Sequence, residues 1–203
     1  TAPSQACNTH IAKASATKAP AESGPGCGAN HRMAKITIVS DAWHPQVNGV
    51  VRTYEHIIEE LEKAGHEIKV IGPADFPFCI PLPGYAEIRL ALAPYARLAR
   101  MIDAFDPDAI HIGTEGSLGH AGRRYCRKRG FKFTTCYHSH FPDYIAARVR
   151  KFIPFLEKPV RHVTIKALRL FHGAASAMMV ATQSLEEELK SWGFEGTLMQ
   201  RLS

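Results

Sequence analysis

Lys35-Ile36-Thr37-Ile38-Val39-Ser40, then Asp41-Ala42-Trp43-His44-Pro45-Gln46-Val47-Asn48-Gly49, then Val50 to Lys63, is the stretch that decides the architecture. The first six residues are a β-branched run, which predicts a strand. In the last segment the apolar residues Val50, Tyr54, Ile57, Ile58 and Leu61 fall at helical spacing. Gly65 sits where a left-handed residue ends such a helix. A strand, a polar glycine-bearing loop and a helix make the first half of a β-α-β unit.

Downstream the alternation continues. His66 to Ile71 reads as a second strand, Glu87 to Leu92 as a third, and Pro94 to Phe105 as a helix with proline in its first turn. Strands follow at Asp108 to Ile112 and Phe131 to Cys136, separated by a helix from about Leu118 to Arg129 that Gly130 ends. Ala177 to Val180 is one more strand. Ser184 to Trp192 is a helix, opened by the capping box Ser184-Leu185-Glu186-Glu187 and closed by Gly193. Alternating strands and helices predict an α/β fold, a parallel sheet with helices on both faces. Ligands then belong at the carboxyl ends of the strands, in the loops after Ser40, Ile71, Ile112 and Cys136.

Residues 1–32 differ from the rest. They are rich in Ala, Ser, Thr, Pro and Gly, and Ile11 is their one large aliphatic residue, so they are expected to be a disordered tail or an upstream extension, with Met33 as the natural start. They lack the apolar core of a secretory signal. The longest apolar stretch, Ala174 to Ala181, falls far short of the roughly 20 residues of a membrane span. Cys7, Cys27, Cys79, Cys126 and Cys136 are scattered and odd in number, which suits idle thiols in a reducing cytosol better than a disulfide framework or a zinc site. The formal charge of +6 favours anionic partners without choosing among phosphates, lipid and nucleic acid.

In the first loop, Gly49 lets a ligand approach the main chain, and the helix after it offers free N–H groups and a partial positive charge to a diphosphate. The same Asn48-Gly49 pair could be only a turn ahead of a helix. The loop lacks the glycine pattern of dinucleotide-binding epimerases and reductases, and no Walker lysine follows.

Residues 40–53, Ser-Asp-Ala-Trp-His-Pro-Gln-Val-Asn-Gly-Val-Val-Arg-Thr, resemble the start of glycosyltransferase family four. The resemblance continues through Thr114-Glu115-Gly116-Ser117-Leu118-Gly119, Phe133 to Tyr144 and Val180 to Leu185, in the family's order and spacing. It implies a Rossmann-like domain over residues 33–203, the N-terminal, acceptor-side half of a GT-B architecture. It also implies sugar transfer with retention of configuration and no obligatory metal. Bacterial members that use GDP-mannose or related donors to make glycolipids are the most similar in kind.

The resemblance assigns roles. Asn48, Gly49 and Val50 would hold the donor diphosphate. His138 would face the transferred sugar, its imidazole supporting charge on the leaving phosphate; a neutral histidine closing a loop is the plainer reading. His138, His140 and Asp143 could instead attract a metal, on weak grounds. Glu115 would bind acceptor hydroxyls or cap the next helix. Trp43 would stack on a sugar or lipid or pack in the core. Tyr137 and Tyr144 complete the acceptor side, with Phe141 and Tyr144 as possible core aromatics.

Tyr144 to His172 concentrates the charge, with Arg148, Arg150, Lys151, Lys158 and Arg161 among its bases and Glu157 its single acid. Pro154 and Pro159 are expected to split it into two helices. A basic amphipathic helix suits an anionic membrane surface, which would make the protein cytoplasmic and peripheral; it also suits a helix packed on the sheet with solvated charges. No nucleic-acid motif accompanies the charge.

A family member also carries a C-terminal domain with an Arg/Lys pair and an E-x7-E element on the donor. Glu187 and Glu195 have that spacing but straddle the helix end at Gly193. The donor-holding residues are therefore expected outside this sequence, and the chain alone is expected to bind donor weakly and transfer no sugar. A non-catalytic, membrane-associated Rossmann-like module is the alternative.

Overall fold

The computed structural model describes residues 33–82, 85–138, 141–194 and 199–201; the side chains of Leu82, Tyr85, Ala86, Glu87, Phe141, Tyr144, Arg148, Phe152, Gln200 and Arg201 lie outside that description. The fold is α/β and Rossmann-like, a parallel sheet flanked by helices. The chain divides into two compact units after Thr134, within one strand.

In the first unit, β1 (Lys35–Val39) pairs in parallel with β2 (Glu67–Ile71) on one side and β5 (Ala109–Ile112) on the other, with Ile36 opposite both Ile68 and Ala109. Ile36 to Val39 and all of β5 are buried, whereas β2 at the edge is only partly covered. That is the pattern of a parallel sheet covered on both faces, where apolar runs replace alternation. Helix α1 (Gly49–Lys63) lays Val51, Tyr54, Ile57 and Leu61 on this sheet, and α2 (Tyr95–Phe105) adds Leu98 and Ile102. Helix α3 (Ser117–Arg129) buries Leu118, Ala121, Gly122, Tyr125 and Cys126. Gly65 and Gly130 follow α1 and α3 with φ of 86° and 66°, the left-handed conformation their positions predicted.

One expectation is corrected here. Tyr85–Ala91 is a strand, β4, but it pairs antiparallel with β3 (Cys79–Leu82) in a separate hairpin rather than joining the parallel sheet. Pro77 and Pro81 disguise β3 in the sequence, because proline removes a ladder donor and is tolerated only at an edge or a bulge.

The dividing strand is β6 (Phe133–Tyr137). In the second unit it lies next to β7 (Ala177–Val180), which pairs in parallel with β8 (Met199–Arg201). Helices α4 (Phe141–Phe152), α5 (Glu157–His172) and α6 (Gln183–Ser191) belong to this unit. Its core gathers Tyr137, Leu168, Met178, Val180, Leu185, Leu189 and Phe194. Pro154 opens a short 3-10 turn that separates α4 from α5, while Pro159 sits inside the first turn of α5, where its missing N–H has no helical acceptor. The start of α6 also differs from expectation. Thr182 is the N-cap, its hydroxyl accepting from the Leu185 N–H at 3.3 Å, which buries Leu185 and leaves Ser184 exposed within the helix. Gly193 follows with φ of 83°.

Adjacent threonines on β6 are each tied to a buried histidine. The Thr134 hydroxyl lies 2.8 Å from His111 Nδ1 on β5, and His111 Nε2 lies 2.9 Å from the Tyr54 hydroxyl of α1. Thr135 meets His172 Nδ1 at 2.9 Å. An unsatisfied polar group in such a place would cost free energy, and these pairings avoid that cost. Replacing Tyr54 by Phe removes the α1 end of the first chain of bonds, with an expected stability loss of about 1–2 kcal/mol. Urea denaturation would measure it, and an unchanged midpoint would refute the coupling.

Candidate functional site

Residues at the carboxyl ends of β1 and β5 form a built unit around Asp41, a residue absent from the sequence-based assignment. Its side chain is 3% exposed. One carboxylate oxygen accepts from the Leu118 N–H at 2.9 Å and the Ser117 hydroxyl at 3.1 Å; the other accepts from the Gly119 N–H at 3.2 Å and the Thr114 hydroxyl at 3.0 Å. Its main chain donates to the Thr114 oxygen at 2.7 Å and accepts from the Gln46 amide at 2.7 Å. Asp41 therefore caps α3 from a different loop and joins the β1–α1 connection to the β5–α3 connection. Gly116 is required there, because a Cβ would collide with the Asp41 carboxyl group. Burial pushes the Asp41 carboxyl above its usual range, and the bonds from Leu118, Gly119, Thr114 and Ser117 work against that rise.

The N-cap of α3 is Gly116, with no side-chain cap of its own, and the Leu118 and Gly119 N–H groups are met by Asp41. Glu115 is partly buried and contributes, with Asp41, a field that favours protonated His120; burial and Arg123 outweigh it and hold His120 below its usual range.

The N-terminus of α1 is different. Asn48 is its N-cap, accepting from the Val51 N–H at 3.0 Å and donating to Gln46 at 3.3 Å. Among the described residues, the N–H groups of Gly49 and Val50 have no acceptor. A Cβ at Gly49 would meet nothing within 4 Å, so nothing in the described packing requires glycine there. Trp43 is partly buried and packs on Gly72 beyond β2, where a Cβ would lie 2.9 Å from the indole Cδ1. Its neighbour His44 pairs with Glu55 at 2.9 Å on the surface.

In the second unit, His138 directly follows β6, partly buried, with Nδ1 3.7 Å from Cys136 Sγ. Tyr137 does not face a ligand. Its ring is 1% exposed within the core and meets His172 and Trp192 edge-on, because the alternation of β6 turns it inward. The side chains of Phe141, Tyr144 and Arg148, and all of His140, lie outside the described residues.

Arg161 pairs with Asp143 of α4 and lies 5.6 Å from the Trp192 ring centroid, with its side chain still 40% exposed. Arg150, Lys151 and Lys158 are exposed, Arg150 standing 3.8 Å from Glu157. Among the described residues, the Cys126 thiol is buried and pushed up to about 12, and Cys136 is buried as well.

The family model described as Glycosyltransferase Family 4 matches residues 47–200. The chain belongs to that family. It is 27% identical over 130 residues to a GDP-mannose-dependent alpha-mannosyltransferase of Mycobacterium tuberculosis, covering 56% of this chain and 34% of that protein. It is 30% identical over 123 residues to an alpha-monoglucosyldiacylglycerol synthase of Acholeplasma laidlawii, covering 54% of this chain and 31% of that protein. The chain thus spans about a third of the length of these curated relatives. The family identifies it as a glycosyltransferase domain.

A raised Asp41 value means the native state holds that proton more tightly than the unfolded chain, so the associated stability is present at low pH and lost as pH rises through the native value. Wild type should therefore gain stability relative to Asp41→Asn as the pH falls toward about 4. Denaturant titrations of both proteins across that range would measure the slope. A slope of opposite sign would mean that the four hydrogen bonds hold the carboxyl below its ordinary value.

Proposed function

We propose that residues 33–203 are the acceptor-side half of a retaining glycosyltransferase that moves a sugar, mannose by resemblance, from a nucleoside-diphosphate donor to a lipid or glycan acceptor at a membrane surface. The contrast between two helix N-termini supports this reading most. That of α3 is filled by the chain's own carboxylate, Asp41. That of α1 keeps two N–H groups beside a glycine facing open space. A diphosphate gains from such a terminus through direct donors and the helix dipole. His138, at the carboxyl end of β6, is proposed to support charge on the leaving phosphate. Trp43 and Glu115 are proposed to line the acceptor side, and no step requires a metal. The GDP-mannose and diacylglycerol in the relatives' names suggest the donor and acceptor classes. Transfer is proposed for a protein that supplies both halves of the architecture; the 203-residue chain alone is proposed to bind donor weakly and to be inactive.

Titrating the isotopically labelled chain with pyrophosphate and with GDP-mannose should move the amide resonances of Gly49 and Val50. Gly49→Ala should weaken that binding about 10-fold while stability holds or rises by about 0.5 kcal/mol, since alanine restricts the unfolded chain. Movement of Leu118 and Gly119 instead, or none, would refute the diphosphate site. In a protein with both halves, His138→Ala should lower kcat by at least about 100-fold. Retention of full kcat would remove His138 from the reaction.

A further inference from the structure

The Tyr54–His111–Thr134 chain of bonds lies within the first unit and runs from its helix α1 to its sheet. Tyr54 and His111 are both 0% exposed. One set of protons satisfies every bond in the chain. The Thr134 hydroxyl donates to His111 Nδ1, the Nε2 N–H donates to the Tyr54 oxygen, and the Tyr54 hydroxyl donates to the Gly113 carbonyl at 3.4 Å. The fit is close at that last point. A Cβ on Gly113 would lie 2.7 Å from the Tyr54 oxygen, so the end of β5 leaves room for this hydroxyl.

A core helix needs no such chain to be stable. The other buried residues of α1, Val51, Ile57 and Leu61, are apolar. Apolar burial is non-directional, whereas a hydrogen bond weakens steeply as its angle departs from the optimum. Replacing both partners of a buried bond by apolar groups of the same shape can be nearly neutral for stability. What the chain adds beyond stability is therefore direction. Tyr54 lies about one turn beyond Val50, so a bond that holds its ring also holds the start of the helix. A second anchor stands on the other side of the first loop. Asp41, where that loop begins, exchanges bonds with Thr114, the residue after Gly113. The loop from Asp41 to Gly49 is thus held at both ends to neighbouring residues beyond β5. We propose that Tyr54 and His111 are positioning residues for the anion-binding start of α1: their bond sets how the helix lies on the sheet, and so where the Gly49 and Val50 N–H groups point. This role rests on the diphosphate reading of that helix start and adds the residues that aim it.

Titration of the isotopically labelled 203-residue chain with pyrophosphate separates aim from stability. Tyr54→Phe strips His111 Nε2 of its hydroxyl partner and should lower both melting point and affinity. Adding His111→Leu and Thr134→Val makes the whole chain apolar. The melting point should then climb back toward wild type, while pyrophosphate affinity stays about 10-fold down. His111→Gln alone, whose amide nitrogen reaches the place of Nε2, should bind more tightly than the triple variant. In the ligand-free triple variant the N–H residual dipolar couplings of Gly49 to Thr53 should change, and those of α3 should not. Affinity that returns together with the melting point would overturn the positioning role and leave the diphosphate site standing. Unchanged couplings at Gly49 to Thr53 would overturn it whatever the melting point does. So would changes spread equally through α3, which would mean a general loosening. A wild type that ignores pyrophosphate would remove the diphosphate site, and this role with it.

Discussion

The Asp41 carboxylate is the constraint on which the candidate site of the first unit depends. A carboxyl group buried without donors would be neutral or would unfold its surroundings. Here two main-chain N–H groups and the Ser117 hydroxyl from the start of α3, with the Thr114 hydroxyl of the loop ahead of it, satisfy it. The loop after β1 cannot move without breaking this set, nor can the loop after β5. The first loop carries Trp43 and Asn48, the second Glu115, so one buried interaction fixes the frame for both. It also spends the anion-binding capacity of one helix and leaves that of another available.

Much of this was legible in the sequence. The β-branched run from Lys35, the helical spacing of Tyr54, Ile57 and Leu61, and the glycines at 65, 130 and 193 each report a local backbone preference, and local preferences survive into the fold. The family was legible for a similar reason, because its motifs are contiguous loops. The open start of α1 likewise follows from the neighbours Asn48 and Gly49.

What escaped the sequence depends on distant partners. Asp41 caps a helix that begins 76 residues later, and no local pattern announces it. Tyr137 looked available to a ligand until the core of the second unit claimed its ring. Ser184 satisfied the capping pattern, but Thr182 won because starting there turns Leu185 into the core.

The β3–β4 hairpin has a consequence for solution behaviour. Phe78, Ile80 and Leu92 are exposed on it, and a short apolar ribbon with free edges is a template for intermolecular strand growth. Pro81 stands within β3, opposite Arg89, and Pro77 lies just before it. At Pro81 the strand offers a stranger no hydrogen to bond, and across the ribbon stands a cation. The exposed apolar ribbon thus carries interruptions in its ladder at the position where a further strand would need a donor.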